Sequence, residues 1–157
     1  MKIKRTRDMG IVSSILNHPL IFPHIHEDGI DVATPIDHDG FYWMLVSDGT
    51  PAGVFLVHAH NQSCYEMHTC LLPRVWGVQS KEAVKLLGNY LFNELGCKKI
   101  ITNVPAYNKR ALRFAKANGM TVEGINRASY LHNGVLEDQT MLGITKEEWI
   151  KCQQQSQ

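Results

Sequence analysis

An α+β fold in a single domain is what this sequence predicts, and three observations predict it. Three short apolar runs joined by tight turns occupy 41–72, two amphipathic helical stripes follow at 82–95 and 108–118, and two more apolar runs flank an Asn-Gly turn at 133–134. The expected sheet is mixed, mostly antiparallel, with six to seven strands and helices on both faces. A chain of 157 residues with 44% apolar and 20% charged side chains is long enough for one core and carries no linker or repeat. One domain is therefore expected over 1–151, with a frayed glutamine-rich tail over 152–157.

The elements follow in order. Residues 2–7 alternate weakly and read as a first strand; Asp8 then caps a helix in which Ile11, Val12, Ile15 and Leu16 repeat at helical spacing, until His18-Pro19 stops it. Residues 19–40 are rich in Pro, His, Asp and Gly and read as a short helix or loop shaping a substrate mouth. Strands are expected at 41–46, 52–60 and 64–72, with turns at 47–51 and 61–63. The stripe of Ala83, Val84, Leu87, Tyr90, Leu91 and Leu95 makes a helix over 82–95, with Ser80 as candidate N-cap and Gly96 as its end. A buried strand at 99–104 ends at Pro105, a helix over 108–118 ends at Gly119, and strands at 120–131 and 136–144 pair around His132-Asn133-Gly134. Thr145 begins a last helical turn by capping toward Glu148.

Composition also excludes function classes. The net charge of +1 offers no general attraction for nucleic acid or anionic membrane, and Lys2, Lys4, Arg5 and Arg7 read as a solvated strand face. No apolar run follows the basic N-terminus and none approaches the ~20 residues of a spanning helix, so a cytoplasmic location is expected. Cys64, Cys70, Cys97 and Cys152 lack any CxxC spacing, which suits reduced thiols rather than a disulfide frame or zinc site. The sequon at Asn61-Gln62-Ser63 carries no weight without secretion.

The spacing from Pro73 to Gly119 resembles the central segment of the GNAT acetyltransferase superfamily without a gap. Pro73 resembles the proline after the fourth strand, Gly77 the glycine that follows the motif's usual arginine, Gly96 the glycine ending the long helix, and Val104 with Asn108 the exit from the fifth strand. Ala111, Gly119 and Met120 match the following helix. Glu123-Gly124, Arg127 and Asp138 resemble the branch of ribosomal-protein N-terminal acetyltransferases, and the ending Gly143-Ile144-Thr145 before Glu148-Trp149 is similar to short phage-encoded acetyltransferase-like proteins. The resemblance covers about half the chain. It departs from the family's Q/R-x-x-G-x-G/A loop, where this chain has Trp76, Gln79 and Lys81. It also departs at the catalytic acid: the family's tyrosine aligns with Ala115, and the ribosomal branch's serine with Ala111.

The resemblance implies acetyl-CoA as co-substrate, with no metal. Backbone at Cys70, Leu71 and Leu72 would meet the acetyl group and pantetheine arm, and the amides of Gly77, Val78, Gln79, Ser80 and Lys81 the pyrophosphate. A helix N-terminus supplies unbonded N–H groups and partial positive charge to an anion. Asn108 would cap its helix and bond the arm, while Lys109 and Arg110 are placed for outer phosphates. For proton transfer the residues offer Glu66 and His68, two apart on one strand face, with His58 and His60 sharing a face of the preceding strand. Glu66 is expected as base with His68 assisting. A solvated sheet face and a two-His-plus-carboxylate metal site from the same four side chains are the competing readings. Cys70 shares that face and reads as a small packing residue.

The expected activity is transfer of acetyl from acetyl-CoA to an amine by direct attack in a ternary complex. The alternative is a catalytically inactive GNAT-fold binding or assembly protein, phage-encoded and carried in the virion, in which case the cytoplasm would be that of a bacterial host. The expected partners are a small-molecule or protein amine and a second copy of the chain.

Overall fold

A computed structural model describes residues 1–155. Seven strands form one sheet in the order β1-β2-β3-β4-β5-β7-β6. They are β1 (Lys2–Arg5), β2 (Phe41–Ser47), β3 (Pro51–Ala59), β4 (Cys64–Leu71), β5 (Lys99–Pro105), β6 (Thr121–His132) and β7 (Val135–Thr145). Every neighbouring pair is antiparallel except β4 with β5, which run parallel. That pair holds for only three positions, Cys64↔Lys99, Tyr65↔Ile100 and Glu66↔Ile101. Beyond them β4 stays with β3 through Leu71 and β5 stays with β7 through Pro105. The parallel strands therefore splay, because each follows its antiparallel partner. The sheet is mixed and mostly antiparallel, as expected.

Helices cover both faces. The helix α1 (Met9–Leu16) starts where Asp8 accepts a hydrogen bond from the Ile11 amide, 3.1 Å, and buries Val12, Ile15 and Leu16 against Trp43, Val54 and Cys70. The opposite face carries α2 (Val78–Asn89), α3 (Lys109–Ala117) and α4 (Lys146–Gln155). Its core joins Phe55 and Val57 of the sheet to Leu87, Leu91 and Phe92, each large side chain contributing about 1.5–3 kcal/mol by burial. Among the described residues, no helix is long and apolar enough to cross a membrane.

Local signals largely place the ends of elements. Asn133 and Gly134 both take positive φ, 51° and 75°, giving the two-residue turn that suits strand twist. Thr145 and Glu148 form a reciprocal capping box: the Thr145 amide donates to Glu148 Oε2, 2.8 Å, and the Glu148 amide to Thr145 Oγ1, 3.3 Å. The helix α4 then runs to Gln155, so residues 152–155 of the expected tail are helical; 156 and 157 lie outside the described residues.

The largest departure is at α2. It begins at Val78 rather than Glu82, and Ser80 is not its cap but lies inside the first turn, its hydroxyl donating to the Gly77 carbonyl, 2.8 Å. Gly77 takes the capping position with φ 82° and ψ −125°, a region essentially reserved for glycine. At its other end α2 continues into a π-helical turn, Tyr90–Glu94, before Gly96.

The basic N-terminus is also partnered. Arg7 pairs with Asp37 and Asp39, and Arg5 donates to the Asp39 carbonyl, 2.9 Å, while stacking over Tyr42 at 4.2 Å. These charges fasten residues 37–39 to the sheet edge.

Candidate active site

The gap between β4 and β5 opens into a cavity of about 630 Å³ that passes from one face of the sheet to the other. His68 and Thr69 of β4 and Asn103 and Val104 of β5 border it, with Ala111 and Ala115 of α3 behind. Neither Trp76 nor Gln79 lines this space.

Three of the four expected titratable side chains meet where the strands begin to part. Glu66 stands opposite His58, and His68 two residues on stands opposite Leu56, so all three ionisable groups share one face. His58 Nε2 and His68 Nε2 are 3.3 Å apart. Glu66 Oε1 lies 3.6 Å from His68 Nε2, and Oε2 4.0 Å from His58 Nε2. His60 does not join them. The strand β3 ends at Ala59, and the His60 amide turns to the Cys64 carbonyl, 2.9 Å, so the alternation that would have aligned His60 is broken. The metal reading thus keeps three ligand atoms, within 4.8 Å of one another, and loses the fourth.

Removal from bulk water holds the His68 imidazole below its ordinary value of 6.5, with nearby His58 adding to the shift and Glu66 opposing it. A neutral ring at neutral pH follows. The Asn103 side chain on β5 donates to Glu66 Oε1, 3.0 Å, bridging the splay. The sequence reading missed Asn103, although its place two residues beyond Ile101, the partner of Glu66, puts it on the right face.

The backbone edge of β4 corrects another expectation. The Leu72 amide donates to the Ala52 carbonyl, 2.9 Å, and the Leu72 carbonyl accepts from the Val75 amide, 3.1 Å. Leu72 is thus engaged by β3 and the following turn, and Cys70, two residues back, faces β3. The alternation turns Thr69 and Leu71 into the gap instead. Of Cys70, Leu71 and Leu72, only Leu71 presents its backbone there, and its carbonyl already accepts the Trp76 indole N–H, 3.0 Å. The Cys70 thiol is buried in the α1 core and pushed up to about 12 by that burial, in keeping with packing.

At the head of α2, the amides of Val78, Gln79 and Ser80 precede any intrahelical acceptor, and no side chain caps them. Lys81 is different, because its amide already donates to the Gly77 carbonyl, 3.3 Å. The loop thus offers bare N–H groups without the two family glycines. Asn108 accepts from the Ala111 amide, 3.1 Å, as a cap, and borders the cavity. Arg110 stacks over Trp76 at 4.2 Å, spanning the mouth between the end of β4 and α3. Lys109 is exposed.

Residues 19–40 form the opposite wall. Asn17 fixes this segment by exchanging two hydrogen bonds of 2.8 Å with Ala33, and the Trp43 indole N–H donates to the Ile36 carbonyl, 2.9 Å. Asp28 accepts from the Asn133 and Gly134 amides, 2.9 and 2.6 Å, which tie the segment to the β6–β7 turn and hold the Asp28 carboxyl below its ordinary range. Tyr107 stacks on His132 at 3.7 Å beside Tyr130, completing that side. None of these contacts has a short-range sequence signal.

Comparisons with known proteins come down on the same arrangement. The family model described as an acetyltransferase (GNAT) domain matches residues 23–121. No curated protein sequence matches the chain. Among solved structures, a variant of the spermidine N-acetyltransferase SpeG from Vibrio cholerae superposes with a TM-score of 0.80 at 14% identity, covering 98% of this chain and 99% of that one. The same enzyme in complex with CoA and spermine gives 0.78 at 16%, covering 95% and 97%. A putative acetyltransferase from T. thermophilus gives 0.65 at 27%, covering 75% and 65%.

Proposed function

The chain belongs to the GNAT acetyltransferase family, and from that premise we propose that it moves an acetyl group from acetyl-CoA to a small-molecule amine held in the β4–β5 cavity. The observation that carries the reading is the parting of β4 and β5 beside that cavity, with Glu66 at the last paired position, just behind the lining residues His68 and Asn103 that it contacts.

Acetyl-CoA enters from the α2 side. Its pyrophosphate meets the amides of Val78, Gln79 and Ser80, where the helix terminus favours an anion. Arg110, on leaving Trp76, supplies a cation for an outer phosphate. The pantetheine arm runs along the Thr69 edge of β4 and past Asn108, and reaches Leu71 only as the Trp76 indole moves off the Leu71 carbonyl. The acceptor arrives from the wall built by 19–40.

Glu66, fixed by Asn103, takes the proton of the ammonium directly or through a water, and neutral His68 assists. The amine nitrogen then bonds to the thioester carbonyl carbon, the carbon–sulfur bond breaks, coenzyme A leaves as the thiolate, and the nitrogen's second proton passes to neutral His68 or to water. Ala115 borders the cavity where a tyrosine would protonate the leaving sulfur. A thiol is a good enough leaving group, with cysteine's pKa of about 8.5 as the guide, to depart as the thiolate without such a donor. Direct attack needs both substrates bound at once, which a cavity open to both faces of the sheet allows.

Calorimetric titration with acetyl-CoA tests the reading. One site per chain, with affinity falling as salt rises, is the expected result; no heat at millimolar cofactor would remove it.

The placement nearest the ribosomal-protein N-terminal branch and phage-encoded proteins is our reading of Glu123-Gly124, Arg127 and the 143–149 ending. A homodimer through the last hairpin is supported by Ile125, Val135 and Leu136, which are 55–60% exposed there. Light-scattering mass in solution checks it, and a monomeric mass at high concentration would dismiss it.

A further inference from the structure

We infer that the acceptor is a monoamine with an apolar, ring-sized body, rather than a polyamine or a lysine side chain; this rests on the acetyl-transfer reading above. The acceptor wall is apolar and aromatic where it faces His68. Phe22, Ile25, Ile36, Phe41, Trp43 and Leu56 line it. The Phe22 ring stacks on His26 at 4.3 Å, and Phe41 is tilted against His58 at 6.0 Å, so flat faces and edges are already arranged for another ring.

Charge decides against a polycation. An ammonium buried in a cavity needs a paired carboxylate, because desolvating it alone is costly. Along the cavity wall the described residues supply one carboxylate, Glu27, and it is exposed at the rim. Glu66 is reserved for the reacting amine. A polyamine would leave its inner cationic nitrogens facing Phe41 and Leu56, whereas an aryl group would remove those same surfaces from water.

The wall is also built before any ligand arrives. Ile30 and Ile36 border the cavity yet remain 49% and 60% exposed, so apolar surface waits uncovered. The Asn17–Ala33 and Trp43–Ile36 bonds hold the segment, and Asp28 ties it to the β6–β7 turn by accepting from the Gly134 and Asn133 amides. Such a pre-ordered apolar wall favours a compact ligand over a threaded polypeptide.

The test compares kcat/KM by coenzyme A release for 2-phenylethylamine, spermidine and a lysine-containing peptide, with wild type and Ile36→Asp. Burying one ring is worth on the order of tenfold or more, so 2-phenylethylamine should lead both others by at least about that factor. Ile36→Asp should narrow or reverse the lead over spermidine, since it adds a carboxylate and removes apolar wall. Preference for spermidine or the peptide in wild type would overturn the inference while leaving acetyl transfer intact. Release with none of the three amines, where calorimetry still shows acetyl-CoA bound, would overturn it also. Failure of acetyl-CoA to bind at all strikes the prior reading instead.

Discussion

The two ends proposed above, one for the cofactor and one for the acceptor, are made from different kinds of chain. The cofactor end is built of backbone: the Thr69–Leu71 edge and the first amides of α2, all within a dozen residues of one another. The acceptor end is built of side chains from 17–43, 56–68, 107 and 130–139, which meet only after the sheet forms. A backbone site tolerates altered side chains, so under that proposal the absence of two loop glycines still leaves uncapped amides at the head of α2. A side-chain site does not, and its chemistry can change with each substitution while the fold persists.

Mutations that strike one end and spare the other would sharpen this contrast. Glu66→Gln should lower kcat by about 10²–10⁴-fold, the usual worth of a general base, with acetyl-CoA affinity unchanged by calorimetry. Equal loss of cofactor binding would mean that the two ends are not separable.

Gly77→Ala attacks the other end. Nothing lies within 4 Å of the added Cβ, so its cost is conformational strain at φ 82°. About 1–3 kcal/mol of stability should be lost in urea unfolding, with weaker acetyl-CoA binding and an unchanged acceptor KM. Asn103→Ala should reduce kcat about tenfold by freeing Glu66, about the worth of one hydrogen bond to a charged group, and leave both binding steps alone. A change in acceptor KM without one in kcat would show that Asn103 contacts substrate rather than positioning the base.

Asp28→Ala releases the β6–β7 turn from the acceptor wall. A several-fold rise in acceptor KM should follow, with cofactor affinity constant. The smallest effect concerns pH. His68 is held below 6.5 in the folded chain. Above that value it is neutral in both folded and unfolded states; below it the unfolded chain takes up a proton that the folded chain resists. Stability therefore falls as pH drops below 6.5, and His68→Gln should flatten that slope in thermal unfolding.

The legible features are those whose partners lie close in sequence. Asp8, Asn108 and Thr145 cap within three residues, and Asn133-Gly134 turns within two, so composition at those spots was enough. Ser80 misled because the choice of cap depends on backbone freedom at Gly77. His60 misled because strand parity counts only as far as the strand extends, and β3 stops one residue short. Which of Cys70, Leu71 and Leu72 faces the gap was likewise invisible, since it depends on the register against β3.

By itself the sequence determined the order of elements, most helix ends, the closing hairpin and the placement of Glu66 and His68 on one strand face. Each of these follows from hydrophobic period or from hydrogen bonds spanning a few residues. Only the tertiary structure decided that β4 and β5 part after three pairs, that Asn103 reaches Glu66, and that Asp28 meets a turn more than a hundred residues away. Those contacts depend on how strands divide their pairing between neighbours, and no local pattern encodes that division.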